Sequence, residues 1–378
     1  NNPDAPKFLW KKSNTDTGFS ELGQTWSEPK IGLLDTASTE TDPVVIFGAG
    51  YDPEHEDTLP ATMNDKGHGV FILNAITGAL VKQFGSADGM TCSFPADVMP
   101  LDRDSDGRLD RIYAGDTCGN LWRMDISGAK TGWKAYKIAA IGGAKTGTDA
   151  RKFLNAPSVV FGTSFDAILI GTGDREHPFD MNIQNYFYMF KDTSTGLTGS
   201  ATGITAECTE TSTNLYDATL NKSQTGTATY DAVAYTASQA ALNAAKGWCI
   251  RLDVGEKVVG NATTLLGTTY FGTNLPSELS DEDIQQCKSN LGEARLYAIS
   301  FKDASIPLVY NPLTGLYVAI SNQRYEVREG GGFPPSPVPV QTVTDDGKVV
   351  TGVISGPKLL QPSGAGRRSR VYWNVEME

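Results

Sequence analysis

Three histidines in 378 residues leave the chain short of the side chain that most often moves protons in enzymes. They are His55, His68 and His177, and the charged surroundings of His55 and His177 predict surface loops. No serine elbow, P-loop or HExxH motif is found. We therefore predict that the protein is not an enzyme.

Long apolar runs and an excess of positive charge are also missing. No apolar stretch approaches the roughly 18 residues of a membrane span, so no transmembrane segment is predicted. Lys and Arg number 32 against 44 Asp and Glu, and the net charge of −12 disfavours a nucleic-acid partner. Because Asn1–Asp4 show no signal-peptide pattern, we expect a mature chain or a piece of a longer protein.

Cysteine is scarce and poorly arranged for metal or redox chemistry. The five cysteines include no CxxC pair, and their spacing fits neither zinc nor thioredoxin-like chemistry. Two disulfides and one free thiol would suit an exported protein, and five buried thiols in a cytosolic protein is the alternative. We predict a disulfide between Cys92 and Cys118, and the pairing of Cys208, Cys249 and Cys287 stays open.

Aspartate, by contrast, is present in a metal-binding register. In residues 102–110, carboxylates occupy positions 1, 3, 5 and 9, and Gly107 occupies position 6, where it allows a sharp turn. Calcium takes about six to eight oxygen ligands, and odd positions of a tight loop can turn their carboxylates toward one point. The predicted Ca²⁺ ligands are Asp102, Asp104, Asp106, Asp110 and the backbone carbonyl of Arg108.

The residues after this loop distinguish it from a helix-flanked EF-hand. Tyr113 stands at position 12, where an EF-hand has glutamate, and Arg111–Gly115 is a short β-prone run. We therefore predict a compact loop that leads into a strand. An acidic surface turn is the alternative, because aspartate favours turns. A second acidic group, at 174–180, lacks the register and is predicted to be a solvated loop.

Short apolar strands followed by glycine turns recur along the chain. In each unit an apolar strand precedes an aromatic-rich strand that ends near Asp or Asn. Radial repetition of four-stranded sheets protects many strand edges. We therefore predict an all-β fold, a modified β-propeller with inter-blade insertions and a few short helices, with a β-sandwich as the alternative. The predicted strand pairs are 44–51 with 69–74, 111–116 with 119–126, 167–173 with 185–192, and 268–273 with 294–299.

Composition divides the chain into three segments. Residues 1–329 are predicted to form the β-propeller domain, with an insertion at about 193–247 in which 232–246 is a predicted helix. Residues 330–347 are a predicted Gly/Pro-rich linker, and 348–378 are predicted C-terminal strands.

Gly115-Asp116 and Gly119–Asp125 follow directly after the aspartate loop. Together with the loop, these residues resemble the PilC/PilY family of type IV pilus-tip proteins. The similarity extends from about residue 8 to 305. Further matching passages are Phe8–Lys11, Leu22–Pro29, Val45–Tyr51, Ile170–Arg175, Gly247–Leu252 and Gly255–Val258.

This resemblance implies a calcium-binding β-propeller domain of a type IV pilus biogenesis and adhesion factor. It implies an exported protein at the outer-membrane surface or pilus tip (the fimbrium), with pilus subunits and the host-cell surface as partners. It also implies a role in pilus extension and retraction, twitching motility and virulence. The chain has no Arg-Gly-Asp motif, so the integrin binding of some relatives is not implied.

Two other functions are consistent with a propeller. A quinoprotein-type β-propeller dehydrogenase shares the architecture and similar Gly-Asp blade repeats, although the adjacent cysteine pair found in many such enzymes is missing. An integrin-like calcium-loop propeller would bind host ligands, but it would have several calcium loops, and only one good match is found.

Overall fold

Strands make up most of the regular structure in the computed structural model, which describes residues 5, 7–56, 65–142, 150–196, 203–205, 208–209, 212, 214–220, 232–277, 291–311, 316–319, 323–343, 349–356 and 358–360. Within these ranges the α-helices are α1 (Pro53–Glu56) and α2 (Ala232–Ala244), and 3₁₀ turns span Thr36–Ser38, Ser86–Asp88 and Lys130–Gly132. None of the described helices is long and apolar enough to cross a membrane. The predicted all-β class is confirmed.

The first of two compact units comprises residues 1–157, 161–166 and 191–206. Its strands are β1 (Lys30–Gly32), β2 (Val44–Gly48), β3 (Val70–Asn74), β4 (Leu80–Phe84), β5 (Met99–Leu101), β6 (Arg111–Gly115), β7 (Asn120–Asp125), β8 (Lys134–Ala140) and β12 (Ile204–Thr205). They form one sheet in the order β1-β2-β3-β4 and another in the order β12-β8-β7-β6-β5. Neighbouring strands are antiparallel except β12 and β8.

One apolar cluster of the first unit draws on both of its sheets. Val44 and Ile46 of β2 alternate along the strand, as do Ile112 and Ala114 of β6, so each strand turns one apolar face inward. Trp122 of β7 belongs to the same cluster. Burial of an aliphatic or aromatic side chain of this size stabilises the fold by about 1.5–3 kcal/mol. The packed sheets therefore provide a firm base for the loop between β5 and β6.

The second unit comprises residues 158–160, 167–190 and 207–378. The strands that form its sheets are β9 (Ser158–Val160), β10 (Asp166–Gly171), β11 (Tyr186–Asp192), β13 (Cys208–Thr209), β14 (Leu215–Asp217), β15 (Gly247–Arg251), β16 (Lys257–Val258), β17 (Thr263–Leu265), β18 (Thr268–Leu275), β19 (Glu293–Ser300), β20 (Leu308–Asn311), β21 (Leu316–Ala319), β22 (Tyr325–Arg328), β23 (Val338–Val343), β24 (Val349–Ser355) and β25 (Lys358–Leu360). The sheet orders are β13-β14-β15-β11-β10-β9, β16-β18-β19-β22 with β17 beside β18, β20-β21, and β23-β24-β25.

The predicted strand pairs all occur as neighbouring strands, namely β2 with β3, β6 with β7, β10 with β11, and β18 with β19. The helix predicted at 232–246 is also present, as α2.

The C-terminal part differs in one respect from the predicted segments. Part of the predicted linker, Val338–Val343, forms β23 and pairs with β24, because its alternating valines outweigh the Pro-rich composition. Strands β24 and β25 lie in the predicted C-terminal segment, and residues 361–378 lie outside the described residues. The domain boundaries remain predictions.

Candidate metal centre

The aspartate loop connects two antiparallel strands of the first unit. Leu101 at the end of β5 pairs with Arg111 at the start of β6. The backbone N–H of Asp110 donates to the carbonyl of Leu101 at 2.9 Å, which closes the loop at its base. Residues 102–110 therefore form a tight turn that leads directly into a strand, as the sequence predicted.

Two residues in the loop have left-handed backbone conformations. Ser105 has φ 66° and Gly107 has φ 87°. A Cβ atom added at Gly107 would meet no atom within 4 Å, so the space around this residue is open. Glycine is favoured here because of the backbone conformation and not because a neighbour leaves no room.

Backbone N–H groups fold the loop around Asp102. Its Oδ1 accepts from Ser105 at 2.6 Å and from Asp106 at 3.2 Å, and its Oδ2 accepts from Gly107 at 2.8 Å. The Oδ1 atom of Asp104 also accepts from the N–H of Asp106, at 3.2 Å. Asp102 is thus both a potential ligand and the residue that organises the turn.

The carboxylates of Asp102, Asp104 and Asp106 converge. One oxygen from each lies within 4.8 Å of the others. Three like charges at this separation repel one another unless a cation compensates them. Several carboxylate oxygens around one point are the donor set of a hard divalent cation, so these residues fit such an ion.

Asp110 is not one of the three carboxylates that lie within 4.8 Å of one another, and it is buried at the base of the loop. Its Oδ2 accepts from the N–H of Arg103 at 2.8 Å. Burial raises the pKa of the Asp110 carboxyl, and the nearby charges of Asp104 and Asp102 raise it further. The structure therefore brings three of the four predicted aspartates within 4.8 Å of one another and buries the fourth at the base of the loop.

Arg108 attaches the far side of the loop to the segment that follows β1. Its backbone N–H donates to Oδ1 of Asp106 at 2.9 Å, and its guanidinium donates to the carbonyl of Leu34. Next to it, the N–H of Leu109 donates to the carbonyl of Leu33 at 2.8 Å. The role predicted for the Arg108 carbonyl stays a prediction.

A buried network of charged side chains begins at Arg103 of the loop. Arg103 binds Asp166 through Nε at 2.8 Å and through Nη2 at 3.0 Å. Arg111 then contacts both Asp166 and Asp125, at 3.4 and 3.2 Å. Three guanidinium groups balance three carboxylates, so the network can be buried without net charge. Its members are Arg103, Arg111, Arg123, Asp125, Asp166 and Asp192.

Tyr113 completes this network as a neutral donor. Its hydroxyl donates to Oδ2 of Asp192 at 2.7 Å. Burial, together with the charge of Asp192, raises the pKa of Tyr113, so the hydroxyl keeps its proton. Sequence reasoning missed these contacts. Charged residues on otherwise apolar strands were the available signal, but Asp166 lies 63 residues from Arg103 and Asp192 lies 69 residues from Arg123.

Two disulfides are present among the described cysteines. Cys92 and Cys118 are joined, as predicted, and they connect the segment before β5 to the turn between β6 and β7. Cys208 is joined to Cys249, a pairing that the sequence left open. Cys287 lies outside the described residues.

The second acidic group is less solvated than predicted. Asp174 is buried, its Oδ2 lies 2.9 Å from Nδ1 of His177, and its Oδ1 accepts from the N–H of Glu176 at 3.2 Å. The solvated-loop prediction is therefore wrong for Asp174, because local partners compensate its burial. One donor atom each of Asp174, Glu176 and His177 could lie around an ion, but the sequence there has no metal-loop register.

Comparison with known proteins gives similarity to PilY1 proteins over part of the chain. The PilY1 type IV pilus biogenesis factor of Pseudomonas aeruginosa strain UCBPP-PA14 is 33% identical over 133 residues, or 33% of this chain and 10% of that protein. A PilY1 homolog of Xylella fastidiosa is 30% identical over 130 residues, or 32% of this chain and 8% of that protein. The chain thus matches a tenth or less of these relatives' length. No family model matches the chain.

A solved structure is similar over nearly the whole chain. The crystal structure of the Pseudomonas aeruginosa PilY1 C-terminal domain superimposes with a TM-score of 0.62 at 17% identity, covering 96% of this chain and 77% of that one. The predicted modified β-propeller is confirmed by this similarity of fold. The sequence and fold comparisons together confirm the resemblance to the PilC/PilY family.

Proposed function

We propose that this chain, a relative of the PilC/PilY family with the fold of the PilY1 C-terminal domain, is a calcium-binding domain of a type IV pilus biogenesis factor. In this proposal it has no enzymatic activity. It acts outside the cell, at the outer-membrane surface or pilus tip, and calcium binding regulates pilus extension and retraction. Twitching motility and adhesion are the processes that depend on it.

The observation that carries the calcium proposal is the convergence of Asp102, Asp104 and Asp106 on one point. Calcium accepts many oxygens in irregular geometry, whereas magnesium requires a near-ideal octahedron and retains several waters. A turn rich in carboxylates suits calcium better. Asp110 and the carbonyl of Arg108 would complete the ligand set. When bound, the ion would compensate the carboxylate charges, which removes their repulsion.

The pilus proposal is supported by the relatives, which are named as type IV pilus biogenesis factors. The chain matches only about a tenth of the P. aeruginosa relative's length. The partners, pilus subunits and the host-cell surface, are therefore part of the proposal. The two disulfides support an exported location, since disulfides persist in oxidising compartments.

Regulation would follow from the position of the loop. The loop directly precedes β6, and its far side is attached to Leu33 and Leu34. Calcium that binds only the closed loop stabilises that state by about 2.7 kcal/mol when free calcium is 100 times the dissociation constant. Calcium sites of extracellular modules bind as weakly as about 10⁻⁴ to 10⁻³ M, so the loop would respond to calcium outside the cell.

The direct test is calorimetric titration of calcium into wild type and Asp110→Ala. The wild type should bind one ion per chain at this site, and Asp110→Ala should lose most of the affinity while remaining folded. Asp65→Ala is the control, because Asp65 is exposed and lies outside the loop. Equal calcium binding by wild type and Asp110→Ala would reject Asp110 as a ligand, and a wild type that binds no calcium would reject the site.

The cellular role needs its own experiment. A chromosomal Asp102→Ala substitution in the bacterium that carries this gene should alter twitching motility and the number of surface pili. The Asp65→Ala strain should behave as wild type. Normal motility in a strain whose protein no longer binds calcium would contradict regulation by calcium, and the calcium site itself would stand.

A further inference from the structure

Arg103 connects two parts of the first unit, one through its backbone N–H and the other through its guanidinium group. Its backbone N–H donates to Oδ2 of Asp110 at 2.8 Å. Its guanidinium forms a two-point contact with Asp166, with Nε 2.8 Å from Oδ2 and Nη2 3.0 Å from Oδ1. A planar two-point contact of this kind fixes orientation as well as distance.

The segment that holds the guanidinium is itself held firmly. Asp166 is fully buried, and its carboxylate also accepts from the N–H of Gly162 at 3.2 Å and from Nη1 of Arg111 at 3.4 Å. Arg103 in turn donates from Nη2 to the carbonyl of Gly162 at 3.2 Å, and its guanidinium lies 5.6 Å from the ring centre of Phe161. Only 18% of the Arg103 side chain is exposed. The start of the aspartate loop is therefore attached to residues 161–166.

We propose that Arg103 and Asp166 are positioning residues of the calcium site. This inference rests on the proposed function, because it concerns the same loop. Neither side chain is a ligand. Arg103 fixes the orientation of the Asp110 carboxylate through its backbone N–H, and Asp166 fixes Arg103. The carboxylate of Asp166 also neutralises the guanidinium charge, which would otherwise repel a cation in the adjacent loop.

A role in stability alone would give a different experimental outcome from a positioning role. If the pair only stabilised the fold, its loss would lower the stability of the unit and leave the calcium affinity of the folded protein unchanged. Positioning predicts weaker calcium binding by protein that is still folded, together with a looser loop in the absence of metal. Calcium affinity and the order of the metal-free loop therefore separate the two roles.

The informative substitution is Arg103→Lys, because it keeps the positive charge and removes the two-point contact. We expect calcium affinity to fall roughly tenfold by calorimetry, the usual cost of losing a partner that orients a metal ligand. In metal-free protein, we expect faster hydrogen exchange at the backbone N–H groups of Arg103 and Gly107. Arg151→Lys is the matched control, because Arg151 is a buried arginine that donates to the carbonyl of Ile141 at 3.0 Å, away from the loop.

Asp166→Asn tests the other half of the pair, and the double variant tests their coupling. If Arg103 and Asp166 act through one contact, the double variant should lose no more affinity than the more damaging single variant. Additive losses would overturn the claim that they act together. Wild-type affinity and wild-type exchange rates in Arg103→Lys would overturn the proposal as a whole.

If the wild type binds no calcium at millimolar calcium, the proposed calcium-binding function is rejected. That result does not by itself decide the positioning role of Arg103. Hydrogen exchange of the metal-free loop still decides the positioning role in that case. Unchanged exchange in Arg103→Lys would refute it, and faster exchange, absent from Arg151→Lys, would support it.

Discussion

Arg123 holds Asp192 through a single nitrogen, Nη1, which lies 2.8 Å from both carboxylate oxygens. Both side chains are buried, and the two residues are 69 positions apart in the sequence. The other side of the guanidinium faces Asp125, with Nη2 3.2 Å from Oδ2. The pair thus belongs to the buried, charge-balanced network that reaches the aspartate loop.

Removal of one partner of this pair should lower the free energy of unfolding. Asp192→Ala leaves Arg123 without its main counter-charge and Tyr113 without its acceptor, so we expect the free energy of unfolding to fall by about 3–5 kcal/mol. Urea denaturation measures this loss. The exposed Asp65→Ala should change stability by less than about 0.5 kcal/mol. A loss below about 1 kcal/mol in Asp192→Ala would mean that water compensates the arginine.

Asp102 should have two separable roles in the loop. Asp102→Asn keeps one oxygen acceptor, for the N–H groups of Ser105 and Asp106, but loses the charge and the acceptor for Gly107. Calcium affinity should therefore fall about tenfold or more, while the metal-free loop keeps part of its order. Asp102→Ala should lose both. Trypsin cleavage after Arg103 and Arg108 in metal-free protein measures loop order. Equal cleavage rates in the two variants would argue against the organising role of Asp102.

Two glycines with similar backbone angles should respond differently to alanine. Gly107 has φ 87° and open space around it, so Gly107→Ala should cost about 1 kcal/mol from conformation alone. Gly69 has φ 79°, and an added Cβ would lie 1.7 Å from the carbonyl oxygen of Phe84. Gly69→Ala should therefore cost about 3 kcal/mol or more. Thermal unfolding of metal-free protein compares them, and similar losses would contradict this explanation.

The Cys92–Cys118 disulfide should stabilise the first unit. The cysteines are 26 residues apart in the sequence. A cross-link that closes a loop of this length lowers the entropy of the unfolded chain and so stabilises the folded state by about 3 kcal/mol. The Cys92→Ser, Cys118→Ser double variant should therefore unfold at a lower temperature than wild type by calorimetry. Mass spectrometry of non-reduced peptides checks the bond itself. Detection of both cysteines as free thiols would rule the disulfide out.

Asp35 should make the stability of the folded protein depend on pH. The backbone N–H groups of Ala37 and Gly128 donate to it at 2.8 and 3.0 Å, and they lower the pKa of its carboxyl below the ordinary 3.8. Its charged form is favoured by folding, so this stabilisation is present above the unfolded-state pKa and is lost as pH falls through the lower folded-state pKa.

Asp35→Asn removes the titrating group at this position. Between about pH 5 and about pH 3, the variant should lose less stability than wild type in urea denaturation. Asp65→Asn is the control and should follow the wild-type curve. Parallel curves for wild type and Asp35→Asn would show that the two N–H groups do not favour the carboxylate.

The parts of the fold and site that sequence reasoning predicted depend on near neighbours. The turn at Gly107 and the convergence of Asp102, Asp104 and Asp106 follow from a register of alternate residues in one short loop. The strand pairs followed from apolar runs separated by glycine turns. Where composition and strand propensity disagreed, as in Val338–Val343, composition was the poorer guide.

The parts that were missed depend on distant partners. Nothing near Arg103 in the sequence indicates Asp166, and nothing near Cys208 indicates Cys249, 41 residues away. The prediction for Asp174 was wrong for a different reason. Its charged surroundings predicted exposure to solvent, but local partners allow it to be buried.

The sequence by itself determined the oxygen donors of the aspartate loop, their spacing and the turn that gathers them, because these follow from the backbone geometry of nine consecutive residues. Only the tertiary structure decided that Asp110 lies at a buried base, and that Arg103 ties this base to Asp166. A buried charge needs a compensating partner, but that requirement does not specify which distant residue supplies it. The packing of strands far apart in the sequence makes that choice.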